Sequence, residues 1–167
     1  MSTSTSIPFA RRGLLLIALL SVSVSSGGLP ARAITFGPMF HWNFGGIKER
    51  FSWGWEAAYW QTYGNPPSGN PHLHGFDVGI EFQSKTTRVY GEYQQGEIIY
   101  GLACGPVIEF EGSGIKYGIQ GGAWAALMGG VDLRGRYILD QGAVFAPGAF
   151  VKIPIDLNHG DYGMSGN

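Results

Sequence analysis

The sequence is short of charge, short of cysteine and without a long apolar run. Of its 167 residues, 11 are basic and 12 acidic. That near-balance offers no basic surface for a phosphate backbone, so nucleic acid is excluded as a partner. Cys104 is the sole cysteine, which rules out an internal disulfide, and in an oxidising compartment the fold has to stand without one. The apolar run Leu14–Val24 is about half the roughly 20 residues a helix needs to span a bilayer. After Ile34 nothing repeats at the 3.6-residue spacing of an amphipathic helix. There is no P-loop, dinucleotide fingerprint or nucleophile elbow, so no cofactor and no metal are expected.

What is present is aromatic and glycine-rich: ten Phe, eight Tyr, five Trp and 28 Gly. So much apolar surface excludes a disordered chain. The first 33 residues have the order of a signal peptide. Arg11 and Arg12 precede the apolar run, and Ala31-Arg32-Ala33 sets small residues at the −3 and −1 positions of a cleavage site. Cleavage there starts the mature chain at Ile34. It removes three Arg and no acid, leaving a net charge of −4. Residues 34–156 then form one domain and 157–167 a short C-terminal tail.

Within 34–156 the period is two. Ile34, Phe36, Phe40, Trp42 and Phe44 share a face opposite Thr35, Gly37, Met39, His41 and Asn43. Phe51, Trp53, Trp55, Ala57 and Tyr59 oppose Ser52, Gly54, Glu56 and Ala58. The pattern recurs about eight times and predicts an all-β chain, an antiparallel up-and-down barrel of about eight strands. One face is bulky and apolar. The other is glycine and small polar residues, with Glu56, Asp77, Glu81, Glu92, Glu109, Glu111, Arg88, Lys116, Arg134, Arg136 and Lys152. An eight-stranded interior is only just wide enough for ordinary side chains. The bulky face therefore belongs outside, and the charges belong in the lumen, where they have to pair.

This arrangement resembles the small outer-membrane β-barrel proteins of Gram-negative bacteria. The resemblance implies a transmembrane barrel with outer-membrane lipids as partners, and an envelope protein is a further candidate partner. The expected role is non-catalytic, structural or scaffolding. Trp42, Trp53, Trp55 and Tyr59 are then interfacial anchors at headgroup level, with Trp60 and Tyr63 in the same aromatic cluster. Two alternatives stay open: a periplasmic soluble barrel binding a hydrophobic ligand, and a lipid A-modifying enzyme of the same architecture. For the enzyme, His41, Ser52 and Glu56 are the candidate nucleophilic trio, a base, a hydroxyl and an orienting carboxylate. A connection over Gly45–Glu49 would set His41 across from about position 54, with Ser52 and Glu56 as diagonal neighbours. His72-x-His74 offers two ligands on one side of an extended segment, too few for a tight zinc site. Pro38 and Pro106 predict bulges or bends, and Asn65–His74 reads as a loop.

Overall fold

The alternating segments become strands because each can bury one face only by closing the sheet on itself. In the computed structural model the described residues are 32–45, 50–63, 72–97, 99–112, 114–126 and 129–157. Most of the predicted signal peptide, the predicted loop residues 65–71 and nearly all of the predicted C-terminal tail lie outside them. The strands are β1 (Arg32–Trp42, continued by Phe44–Gly45), β2 (Phe51–Tyr63), β3 (His72–Phe82) and β4 (Thr86–Glu97). They are followed by β5 (Tyr100–Glu111), β6 (Gly114–Ala126), β7 (Gly129–Ile138) and β8 (Gly142–Val151, continued by Ile153–Asp156). Each pairs antiparallel with the next, and β8 returns to β1, with Phe40 opposite Ala149 and Ile34 opposite Ile155. The result is a closed eight-stranded antiparallel barrel with no helix among the described residues. β1 begins two residues before the predicted domain start, at Arg32 opposite Gln61.

Register corrects several expectations. His41 faces Ser52, not position 54, because the ladder continues past Trp42–Phe51 to a bond from Asn43 N to Arg50 O of 2.5 Å. A shift of two residues leaves each side chain on its own face, so the inside–outside assignment survives. Neither proline makes a bulge. Pro38 keeps its partner Trp55, and Pro106 keeps Ile119. On their other sides the ladders lapse at Gly37–Pro38 beside Val151–Lys152 and at Gly105–Pro106 beside Gly91–Glu92, then resume in the same register. A missing N–H breaks one ladder without adding a residue. His72 and His74 are strand residues of β3 rather than loop. Between β7 and β8 the chain reverses tightly, with Asp140 and Gly142 at φ of 68° and 88°, a conformation that Asp and Gly tolerate best.

Inside, large side chains lie over glycines. A Cβ at Gly79 would meet the Tyr90 ring at 2.2 Å, and one at Gly148 would meet the His41 ring at 2.2 Å. Trp124 covers Gly101 and Phe150 covers Gly130 in the same way. Met39, Tyr90, Val107, Ile138 and Phe150 form an apolar cluster within the polar interior, a layer the sequence reading did not anticipate. Tyr90 cannot yield easily, since its hydroxyl donates to Glu56 and touches Met39 Sδ at 3.0 Å. Gly79→Ala is therefore expected to destabilise the barrel by about 1–3 kcal/mol through overpacking. Gly91, whose added Cβ would find its nearest neighbour at 3.8 Å, should accept Ala within about 0.5 kcal/mol. Urea midpoints of the two variants in one detergent check the contrast.

Candidate functional site

The charged interior is the chemically distinctive region of the molecule. Glu56, Asp77, Glu81, Arg88, Glu92, Glu109, Arg134 and Arg136 are all buried, and Lys152 is half-buried. Each stands on the inward parity of its strand, so alternation alone delivers it there.

Glu81 on β3 organises one half. It pairs with Arg136 and with Arg88 Nη1 at 3.3 Å, and accepts from Ser52 Oγ at 3.2 Å. Arg88 Nε continues to Glu109 at 2.5 Å, and its Nη2 donates to Gln83 at 2.5 Å. Arg136 donates to Gln120 at 2.8 Å and to Asn43 at 3.2 Å. Glu56 on β2 organises the other half, held by Arg134 Nη2 at 2.5 Å, by Lys152 and by the Tyr90 hydroxyl. Arg134 also donates from Nε to Asp132 at 2.7 Å, and its guanidinium stacks 4.7 Å over the Tyr90 ring. His41 joins the halves. Its Nε2–H donates to Asp132 at 2.9 Å, while Nδ1 sits 3.3 Å from Glu81.

The candidate trio is neighbouring but differently engaged. The single Ser52 proton goes to Glu81, and Ser52 Oγ accepts from Asn43 at 3.0 Å. Glu56 is committed to Arg134 and Lys152 rather than to orienting His41. The group that orients His41 is Asp132, on the inward parity of β7 but missed as a site residue in the sequence. Asn43, Tyr90, Gln94 and Gln120 were likewise missed; their buried inward positions were the available signal.

Other residues leave the predicted set. Glu111 and Lys116 pair with each other at the exposed barrel rim, outside the buried network, because both stand next to the β5–β6 turn. Trp60 turns inward, packing edge-on against Trp124 at 5.4 Å and donating to Thr35 at 3.3 Å. It shares the parity of Ser52 and Glu56. Trp42, Trp53 and Trp55 are exposed on the outer face and Tyr59 is half-buried there. Trp55 stacks on Phe36 at 5.1 Å. His72 and His74 also point outward, where the Tyr63 ring contacts both.

The free volume among these charges is small. A cavity of about 10 Å³ lies among Glu56, Glu92, Gln94, Asp132, Arg134 and Lys152, at the threshold for a single water. Of the groups lining it, both oxygens of Glu92, Gln94 Oε1, Asp132 Oδ1, Arg134 Nη1 and Trp124 Nε1 stand without hydrogen-bond partners, as do both oxygens of Asp77, which is outside the lining. The expectation that every inward charge pairs thus holds for Glu56, Glu81 and Glu109 but not for Asp77. Comparison with protein-family models, with curated proteins and with solved structures returns no match.

Proposed function

We propose that this chain is an integral outer-membrane β-barrel of a Gram-negative envelope, exported by its N-terminal segment and serving a non-catalytic, structural or scaffolding role. The observation that carries the reading is the outer face. Among the described strand residues, the outward positions hold charge only at Arg32 and Glu97, both at the same end of the barrel. Elsewhere that face is Phe76, Leu102, Ile119, Val131, Ile153 and their like, 60–67% exposed. A contiguous apolar surface around a whole barrel is far beyond what a water-soluble monomer carries.

Dimensions support it. From Ile34 to Phe44 the outward apolar positions of β1 cover about 33 Å along the strand, at roughly 3.3 Å per residue. A tilt of about 40° reduces this to about 25 Å, the height of a barrel's apolar band. Cleavage after Ala33 would leave β1 opening at Ile34, still paired with Tyr59 and Ile155. The cavity among the interior charges, about 10 Å³, is too small for a hydrophobic ligand, and the engaged Ser52 proton speaks against acyl transfer in this arrangement. Lipids of the outer membrane are the immediate partners, and an envelope protein is the partner a scaffold would hold.

Fractionation tests the reading. The protein should sediment with outer membranes, require detergent for release, and migrate differently on gels with and without boiling. Its mature N-terminus should be Ile34. Recovery in a detergent-free osmotic extract would overturn the membrane assignment.

A further inference from the structure

Three carboxylates meet inside the barrel, and one of them, Asp77, has no ion pair. Asp77 on β3 stands directly opposite Glu92 on β4, and Glu56 on β2 lies diagonally across from Asp77. One oxygen from each lies within 4.8 Å of the others. All three residues are at most 2% exposed. Glu56 has Arg134, Lys152 and Tyr90. Asp77 has no hydrogen bond or ion pair among the described residues, and Glu92 has Arg134 Nη1 at 3.7 Å and the neutral Gln120 side chain beside it.

A neutral group points to the same place. Gln94 follows Glu92 by two residues on the same face, is 2% exposed, and borders the small cavity together with Glu56 and Glu92. Its Oε1 is buried and without a partner. An orphaned amide oxygen costs stability whatever the carboxylates do, so it requires a donor or a cation of its own.

Charge leads to the same conclusion. The interior acids are Glu56, Asp77, Glu81, Glu92, Glu109 and Asp132, against Arg88, Arg134, Arg136 and Lys152. Two carboxylates are therefore in excess before His41 is considered. Like charges this close in a water-poor interior cannot persist without a counter-charge.

We propose that the barrel holds one calcium-class divalent cation on Glu56, Asp77 and Glu92, with Gln94 Oε1 as a neutral ligand. Every donor is oxygen, which selects a hard cation. Calcium accepts irregular cages of about 6–8 oxygens, to which a carboxylate can contribute one atom or both. Magnesium keeps several of its waters when bound, for which a cavity of about 10 Å³ has no room. Arg134 and Lys152 bond Glu56 and Asp132 directly, and Arg134 reaches Glu92 only at 3.7 Å, so the Asp77–Glu92 side keeps an excess of negative charge. The ion would tie β2, β3 and β4 together from within.

The test uses the full mature barrel, purified in a non-ionic detergent without lipid and stripped with EDTA. Calcium chloride is then titrated, following bound calcium and the unfolding temperature. One ion per barrel is expected, with a rise of roughly 10 °C when free calcium is one hundred times the dissociation constant. Magnesium should bind at least about tenfold more weakly. Asp77→Asn and Glu92→Gln should each cut calcium affinity at least about tenfold, while Asp140→Asn, at the exposed β7–β8 turn, leaves it unchanged. Heat-modifiable gel mobility confirms that each variant is folded before it is scored. Folded wild-type protein that takes up no calcium at about 10 mM, the weak limit for protein sites, would overturn the proposal and assign the position to a proton shared by Asp77 and Glu92. Calcium uptake that survives in the folded Asp77→Asn and Glu92→Gln variants would overturn it equally, by placing the ion elsewhere.

Discussion

Leu133→Arg is expected to block assembly of the barrel into lipid. Leu133 is the middle outward position of β7, between Val131 and Tyr137, opposite Ala123 and Pro147, and 46% exposed. In a water-soluble barrel such a change on an exposed position shifts stability by no more than about 0.5 kcal/mol. At the midplane of a bilayer a strand arginine costs about 2–4 kcal/mol, a large share of a small domain's total stability. The companion change, Gln83→Glu, should be accepted, because Gln83 accepts a bond from Arg88 Nη2 and a carboxylate accepts it more strongly. Urea midpoints in lipid vesicles, read by tryptophan fluorescence, separate the two. Equal midpoints for Leu133→Arg and wild type would mean that the outer face meets water, and the membrane assignment would fall.

Removing Arg134 should be the most damaging single change inside. Its guanidinium bonds Glu56 and Asp132, approaches Glu92 and covers the Tyr90 ring. Arg134→Met leaves these carboxylates buried beside one another, and breaking a buried pair from one side costs about 3–5 kcal/mol. Adding Glu56→Gln to that background should cost much less than Glu56→Gln alone, or recover stability, because the charge left stranded is gone. A double-mutant cycle of unfolding free energies should give a coupling of about 1–3 kcal/mol. Strictly additive losses would show that Arg134 acts by packing and not as the hub of the network.

The fold was legible in the residues because a strand declares its faces locally. Phe51, Trp53 and Trp55 alternating with Ser52, Gly54 and Glu56 settle which side chains share a side, whatever the strand pairs with. The limited room inside eight strands then settles which side is interior. Where this reasoning was not carried to the end, residues were misplaced. Trp60 has the inward parity of Glu56 yet was grouped with the outer aromatics, and Met39, Tyr90, Val107, Ile138 and Phe150 were not recognised as an apolar layer.

The candidate site was legible as a set of residues but not as a set of partners. The sequence by itself determined an all-β chain, the parity of each strand, the apolar exterior and the collection of acids and bases within. Only the tertiary structure decided that His41 faces Ser52 but donates to Asp132, that Glu111 and Lys116 leave the interior for the rim, and that Asp77 has no basic partner. The reason is separation along the chain. Parity is a property of consecutive residues, whereas His41 meets Asp132 across 91 positions and Arg134 meets Glu56 across 78. Those meetings depend on the register of every intervening ladder and on the stagger with which β8 closes against β1, quantities that no local alternation carries.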